Sequence, residues 1–450
     1  VVACSLGGSC ACPKARLAVI AGMTVVAFLA ALLVQQLSHA YNNVAQPVER
    51  PGAVVGLLLK FVPEYNPAMK DPDGWGRMGF RLLEGKGLST ADGTPSAFRG
   101  PVVPLIYAPT MLIFGKSYAV LFGVQLVFFA LGAGVTGLIA DRVFRSKWVN
   151  LLAMSIYIGF IPAHPWFCHI FTEPIYTCLL GLFVLSWMTS LPRGGGWSLV
   201  TGLMLGVVAL TRPILYFFLP LVLLLELKRN GLNRRAMTSV AFLLLGFCAL
   251  EVPWIVRNQV VLGRFIPTTT GSAVNLHLMT WHEEANWMGN PYHDPQRFPP
   301  KAEGIFELPP EERNERFREL AWENIRADPI AVVMLIPRRA LIYLFQMRPR
   351  GWIPTSKSLV LSGGLYLFAI LGYCLMTSGQ RRLFSPALWL FVFCLAFHSL
   401  LVAEYRYSHP LQPYVFVLAA FGLLEPLSRL SGGNWSQGPS PRPSEVRQNG

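Results

Sequence analysis

At 450 residues, 53% of them hydrophobic and 14% charged, with a mean hydropathy of +0.44, the chain carries about half the charge of an ordinary globular protein. That excludes a water-soluble domain. The formal charge of +14, from 38 Lys and Arg against 24 Asp and Glu, falls in short clusters between apolar runs, the pattern that orients membrane helices, and with no basic stripe interleaved with aromatics it excludes nucleic-acid binding.

The clusters are Arg142, Arg145 and Lys147, then Lys228, Arg229, Arg234 and Arg235, then Arg381 and Arg382. Apolar runs recur from Leu17 to Leu427, many of them near the ~20 residues a helix needs to cross a bilayer. In lipid the backbone must satisfy its own hydrogen bonds, so these runs are expected as helices. The fold class is therefore all-α, a polytopic transmembrane protein of about 10–11 spans with two extracytoplasmic loop regions. Cys178, Cys248, Cys374 and Cys394 lie inside apolar runs as small core residues. Cys10 and Cys12 lack the second pair that a metal site needs.

In chain order, residues 1–16 form a cytoplasmic N-terminus whose Lys14 and Arg16 precede an uncleaved first span over Leu17–Leu37. The first external loop covers 38–117. In it Ala53–Pro63 is too short to cross and lies along the interface or on the loop's own core. Asp71–Leu83 places Trp75, Met78, Leu82 and Leu83 at helical spacing, stopped by Gly85 and Gly87. Pro101–Phe114 reads as a surface-parallel helix broken by Pro104 and Pro109. Tyr118–Ala140 and Trp148–Ile161 span, joined by the inner turn DRVFRSK. The outer loop Ala163–Pro174 has no Lys or Arg, and Ile175–Leu191 spans back.

Trp197–Leu210 and Ile214–Leu227 then flank Thr211-Arg212-Pro213, and Met237–Val256 spans out to a second external region over 257–357. There Pro309–Arg326 reads as an amphipathic soluble helix, opened by proline with acids in its first turn. Ile330–Phe345 either spans or lies at the outer surface. The second choice leaves GQRR inside, as the basic-residue rule prefers. The last spans are Leu359–Met376, Leu383–Val402 and Leu411–Leu427, the bundle covers 17–428, and residues 429–450 are a disordered inner tail.

On this topology the unusual polar groups fall at one face: Asp71 and Asp73, Arg99, Glu173, Arg212 and Arg406, with Arg257-Asn258 nearby. Each alone reads as a helix-end residue; an ionisable group inside a membrane costs about 2.5–3.5 kcal/mol on insertion scales, so a convergence of them points to a cavity. Asp71 suits a helix N-cap and Asp73 the first turn. Either could instead be the general base that deprotonates an accepting hydroxyl, and the residues alone leave that choice open. Arg99, Arg212 and Arg406 present fixed forks suited to phosphate oxygens, placed to stabilise the charge on a departing phosphate. Glu173 with His164 and His169 could hold a divalent cation, although the spacing matches no established metal motif and no metal ligand is assigned. His277, His282, Glu283, Glu284, His293 and Asp294 read as polar loop surface, with Trp281, Trp287 and Tyr292 able to stack on a sugar.

These segments together resemble the GT-C superfamily, in the bacterial branch related to protein O-mannosyltransferases and aminoarabinose lipid A transferases. Asp71…Trp75…Gly85-Lys86-Gly87 resembles the first-loop signature, and PSAFRGPVVPLIYAP its Pro-x-Ala-x-Arg-x-Pro segment. Thr172-Glu173-Pro174, ALTRP (Ala209–Pro213), PWIVRN (Pro253–Asn258) and Tyr405-Arg406-Tyr407-x-x-Pro410 resemble further family segments. Trp75 stands where tyrosine is common, and Ser408-His409 replaces part of the usual last motif. The resemblance implies transfer of a sugar from a polyprenyl-phosphate donor to a lipid, glycan or protein acceptor in the envelope, at the extracytoplasmic face of the plasma membrane. It implies Asp71 as catalytic aspartate with Glu173 as a second acid, and Arg99, Arg212, Arg257, Tyr405 and Arg406 as donor contacts. The competing reading is a transporter or flippase of a lipid-linked sugar, which predicts paired broken helices and inverted symmetry.

Overall fold

The computed structural model describes residues 13–43, 71, 73–90, 93–160, 167, 169–193, 195–280, 304–305, 308, 310–345, 359–404 and 406–431. They form helices α1 (Pro13–Asn43), α2 (Trp75–Leu83), α3 (Val102–Phe114), α4 (Tyr118–Phe144) and α5 (Lys147–Phe160). Then come α6 (Glu173–Arg193), α7 (Gly196–Thr211), α8 (Leu219–Asn230), α9 (Arg234–Leu262) and α10 (Ser272–Thr280). The series ends with α11 (Pro310–Ala327), α12 (Pro329–Phe345), α13 (Gly364–Leu375), α14 (Ser378–Leu400) and α15 (Gln412–Leu430). Among the described residues the only β pairing is an isolated bridge between Ser89 and Pro95. The all-α expectation holds. The interface segment 53–63, the aromatic and acidic loop 281–303, and the tail beyond 431 lie outside the described residues.

Among the described residues five helices are long and apolar enough to cross a bilayer: Pro13–Gln36, Tyr118–Phe144, Arg234–Leu262, Ser378–Leu400 and His409–Leu430. Val102–Phe114, Gly196–Thr211 and Leu359–Leu375 are apolar but shorter. Local chemistry accounts for several shorter pieces. Pro213 cannot donate into a continuing helix, so a 3₁₀ turn at Pro213–Tyr216 separates α7 from α8. Starts are marked by side-chain caps: Ser117 accepts from the Val120 N–H at 3.3 Å, Asn233 from Ala236 at 2.9 Å, and Thr377 with Gln380 forms a capping box before α14.

Packing centres on α15, which is buried along most of its length. Phe416 joins a cluster with Val103, Tyr107, Phe129 and Tyr157 from α3, α4 and α5. Tyr414 and Phe421 join a second cluster with Phe183, Trp187, Phe218 and Phe384. Close helix approach rests on small residues. A Cβ on Gly372 would strike the Leu418 carbonyl and one on Gly422 the Phe368 carbonyl, locking α13 against α15. Gly202 and Gly246 bring α7 and α9 together in the same way.

The ends of the bundle differ in chemistry. At one end Arg16 of α1 pairs with Asp141 of α4 at 2.5 Å, and Asn150 of α5 donates to the same carboxylate at 3.1 Å. α4 is 27 residues long, about 40 Å at 1.5 Å per residue, and its other end abuts α2, where Tyr118 meets Phe80 edge-on at 5.1 Å. The acidic and arginine-rich segments gather at that second end. In α12, Arg339 donates to the Met279 and Leu400 carbonyls, and Tyr343 stacks on His398 at 5.3 Å.

Candidate active site

The site grows from the turn at Asp71. The Gly74 N–H donates to the Asp71 carbonyl at 3.2 Å, and Gly74 has φ 74°, a left-handed conformation that glycine adopts without strain. This turn swings the Asp71 side chain back over the start of α2, where Oδ2 accepts the Arg77 N–H at 2.9 Å. Asp71 thus lies three residues before the N-cap Gly74, not at the cap position expected, and accepts from the first turn of α2. It is also 8% exposed, and its Oδ1 is buried with no hydrogen-bond partner. Gly76 leaves room for it, since a Cβ there would sit 3.2 Å from Oδ2 and 2.7 Å from Leu121 Cδ1. Burial raises the Asp71 pKa above its ordinary 3.8. The Arg77 and Gly76 N–H groups and the Arg77 charge pull the other way, while the Asp73 charge adds to the rise.

Asp73, two residues on, behaves differently. Its Oδ1 accepts from Arg99 Nη2 at 3.2 Å and its Oδ2 from Arg406 Nη1 at 3.3 Å. Arg406 also donates from Nε to Glu404 at 2.8 Å and lies 3.8 Å from Glu173 Oε1. Glu173 in turn accepts from Arg212 Nη2 at 2.6 Å, and the same guanidinium reaches Thr172 Oγ1 at 2.7 Å. Acids and arginines therefore alternate through one connected network drawn from the first loop, the Arg99 lip, the start of α6, the end of α7 and the segment before α15. Burial works against the charge on Arg406, but the carboxylates of Glu404, Asp73 and Glu173 outweigh it and raise its pKa further. Arg212 follows the same balance, with Glu173 supplying the largest opposing effect.

Aromatic faces wall the network. Arg406 lies 4.3 Å over Phe171, Arg212 4.9 Å over Tyr176 and 5.5 Å over Tyr407, and Arg99 5.2 Å over both Trp75 and Phe98. Gln125 of α4 fixes the Phe171 segment, donating at 3.1 Å both to its carbonyl and to the Tyr107 hydroxyl of α3. Glu173 is the first residue of α6, at the positive end of the helix dipole. It is fully buried, and its Oε2 has no hydrogen-bond partner.

The structure brings Asp71, Arg99, Glu173, Arg212 and Arg406 to one place. Arg257 belongs to a neighbouring arrangement: it donates to the Ser96 carbonyl at 3.1 Å and the Leu88 carbonyl at 3.0 Å, clamping the first loop onto α9. Tyr405 and His164 lie outside the described residues. Asp73, weighed in the sequence and set aside for Asp71, is a central ion-pair partner. Glu404, absent from the sequence expectations, accepts from Arg406 Nε, and its position two residues before that arginine is not by itself a signal. Among the described residues no group of three His, Cys, Asp or Glu could hold a metal ion. Asp73, Glu173 and Glu404 each face a guanidinium group.

No family model and no curated protein matches the chain. Among solved structures it is similar to the Archaeoglobus fulgidus oligosaccharyltransferase tethered to an acceptor peptide containing the NVT sequon, at 14% identity and a TM-score of 0.50. The alignment covers 91% of this chain and 50% of the other, so the chain spans about half the length of that enzyme. The same transferase with Zn and sulfate aligns at a TM-score of 0.48, 15% identity, and 91% and 50% coverage. ArnT from Cupriavidus metallidurans bound to undecaprenyl phosphate aligns at a TM-score of 0.34 and 14% identity, over 84% of this chain and 78% of that one. With its all-helical bundle, the chain shares the fold of the oligosaccharyltransferase over 91% of its length.

Proposed function

We propose that the protein transfers a sugar from a polyprenyl-phosphate donor to an envelope acceptor at the extracytoplasmic membrane face, by a single inverting displacement. The observation that carries this reading is the division of labour between two neighbouring aspartates. Asp73 is committed to two arginines, whereas Asp71 keeps one buried carboxylate oxygen unengaged. A carboxylate neutralised by two guanidinium groups is a poor proton acceptor, and one raised in pKa by burial is a better one. Asp71 then takes the acceptor hydroxyl proton as the new glycosidic bond forms at the anomeric carbon. The bond from that carbon to the phosphate oxygen breaks, and its electron pair leaves with polyprenyl phosphate.

Charge accumulates on that leaving phosphate, where Arg99, Arg212 and Arg406 are held by their ion pairs and need little reorganisation. Arg99 is the most exposed of the three, and its buried Nε has no hydrogen-bond partner, so it is the first contact for an incoming phosphate. Glu173 holds Arg212 in place and orients the acceptor through its unengaged Oε2. The neighbours named above bind an acceptor peptide in one case and undecaprenyl phosphate in the other, the two kinds of ligand that this reading requires. The exposed apolar residues Leu112, Ile113 and Phe114 at the end of α3 offer the lipid tail an approach from the bilayer.

Mass spectrometry of envelope glycans from cells carrying the wild type or Asp71→Asn, at matched expression, tests the proposal. A sugar modification should be present with the first and absent with the second. Identical glycan profiles would overturn it.

A further inference from the structure

The end of the bundle opposite the ion network holds a separate cavity of about 460 Å³. Its walls come from α6, α8 and α14, through Trp187, Lys228, Arg229, Arg382 and Trp389. The separation from the network follows from the helices themselves. Glu173 opens α6, and Trp187 lies 14 residues further along it, about 21 Å at the helical rise. Arg212 lies before α8, and Lys228 and Arg229 are in its last turn. Arg382 is in the first turns of α14, and the Arg406 segment follows the other end of that helix.

The chemistry of the cavity is one-sided. Trp187 is fully buried at its base, and its indole N–H donates to Glu226 at 2.8 Å. The acid on this turn of α8 is thereby turned inward, 2% exposed, away from the cations at the mouth. Arg229 spans from α8 to α14, donating to the Arg382 carbonyl at 2.8 Å. Burial lowers the Arg229 pKa, Glu226 offsets part of that, and the Arg382 charge adds to the lowering. Lys228 and Arg382 make no ion pair with any described residue, and Trp389 is 41% exposed at the rim. Three cations therefore converge on a concave space with an indole floor and an indole edge. The volume is in the range of small-molecule pockets, and basic pockets between transmembrane helices are suited to phosphorylated headgroups.

We propose that this cavity is a second binding site, separate from the sugar-transfer site, for a phosphate group carried by an anionic lipid headgroup or free in solution. The three cations take the phosphate oxygens, and Trp389 packs against the organic part of the ligand. The inference stands on the cavity alone and does not depend on the glycosyltransferase reading.

The test uses the full chain in phosphatidylcholine nanodiscs, with phosphatidylglycerol as a minor component in one arm and labelled inorganic phosphate in the other. Retained ligand is counted by native mass spectrometry or scintillation. The paired substitution Lys228→Gln with Arg382→Gln should lower retention about tenfold or more, while Arg234→Gln with Arg235→Gln, at the start of the next helix, should leave it unchanged. The charge-keeping pair Lys228→Arg with Arg382→Lys should retain binding, which separates loss of charge from loss of fold. Retention in the lipid arm assigns the site to a headgroup, and retention in the phosphate arm assigns it to a soluble anion. Retention in neither arm, or equal loss from both glutamine pairs, would overturn the proposal.

Discussion

Asp71 and Asp73 are two residues apart in a single turn, yet their surroundings set them different tasks, and substitution should separate them. Removing one member of a buried ion pair leaves the other charge uncompensated, at a cost of about 3–5 kcal/mol. Asp73→Asn takes a carboxylate from both Arg99 and Arg406, with Arg406 keeping Glu404 and Glu173, so a lower melting temperature is expected. Asp71→Asn should do the reverse. A raised folded pKa means that the folded state prefers the neutral acid. That contribution to stability is complete below the ordinary 3.8 and is lost as pH rises through the raised folded value. Asparagine mimics the neutral form at every pH, so Asp71→Asn should melt higher than wild type at neutral pH, with the gap closing as the pH falls below 3.8. A variant that melts lower at neutral pH would contradict the dominance of burial over the Arg77 contacts at Asp71. Turnover by the wild type should climb with pH through the same raised value, because only the ionised form accepts a proton.

At the scale of elements, the first loop is positioned by backbone contacts as much as by charge. A Cβ on Gly100 would run into the Leu210 carbonyl at the end of α7. Arg99 reaches Asp73 from the adjoining position. Overpacking of this kind costs about 1–3 kcal/mol. Gly100→Ala should accordingly weaken both stability and donor binding, read as a rise in KM for the lipid-linked donor, and an unaltered KM would show that the lip tolerates displacement. Arg257→Ala releases the Leu88 and Ser96 carbonyls and should loosen the same loop, read as faster amide hydrogen exchange over 86–100. The order of these elements was legible in the sequence because apolar runs, proline breaks and glycine stops are local signals. The Gly85 and Gly87 stop after α2 is one case: both have positive φ, 73° and 65°. The roles within the site were less legible. Whether Asp71 or Asp73 meets the arginines depends on the left-handed turn at Gly74 and on where Arg406, more than three hundred residues later, arrives in space. Glu404 was hidden for the same reason. Its significance lies in a contact with Arg406 across a turn, which no spacing rule separates from an ordinary loop acid.

For the whole molecule, the proposed function requires one orientation, with the Arg16–Asp141 end inside and the ion network outside. In a cysteine-free background, Glu84→Cys should react with a membrane-impermeant maleimide in intact cells, and Lys147→Cys only after permeabilisation. The opposite pattern would invert the topology. The most direct test of the central claim is release of polyprenyl phosphate from a labelled polyprenyl-phosphate sugar by the purified chain in liposomes. Release by the wild type and its fall by roughly 100-fold or more in Asp71→Asn is the predicted result. Donor movement across the bilayer without release, or release unchanged in Asp71→Asn, would contradict it.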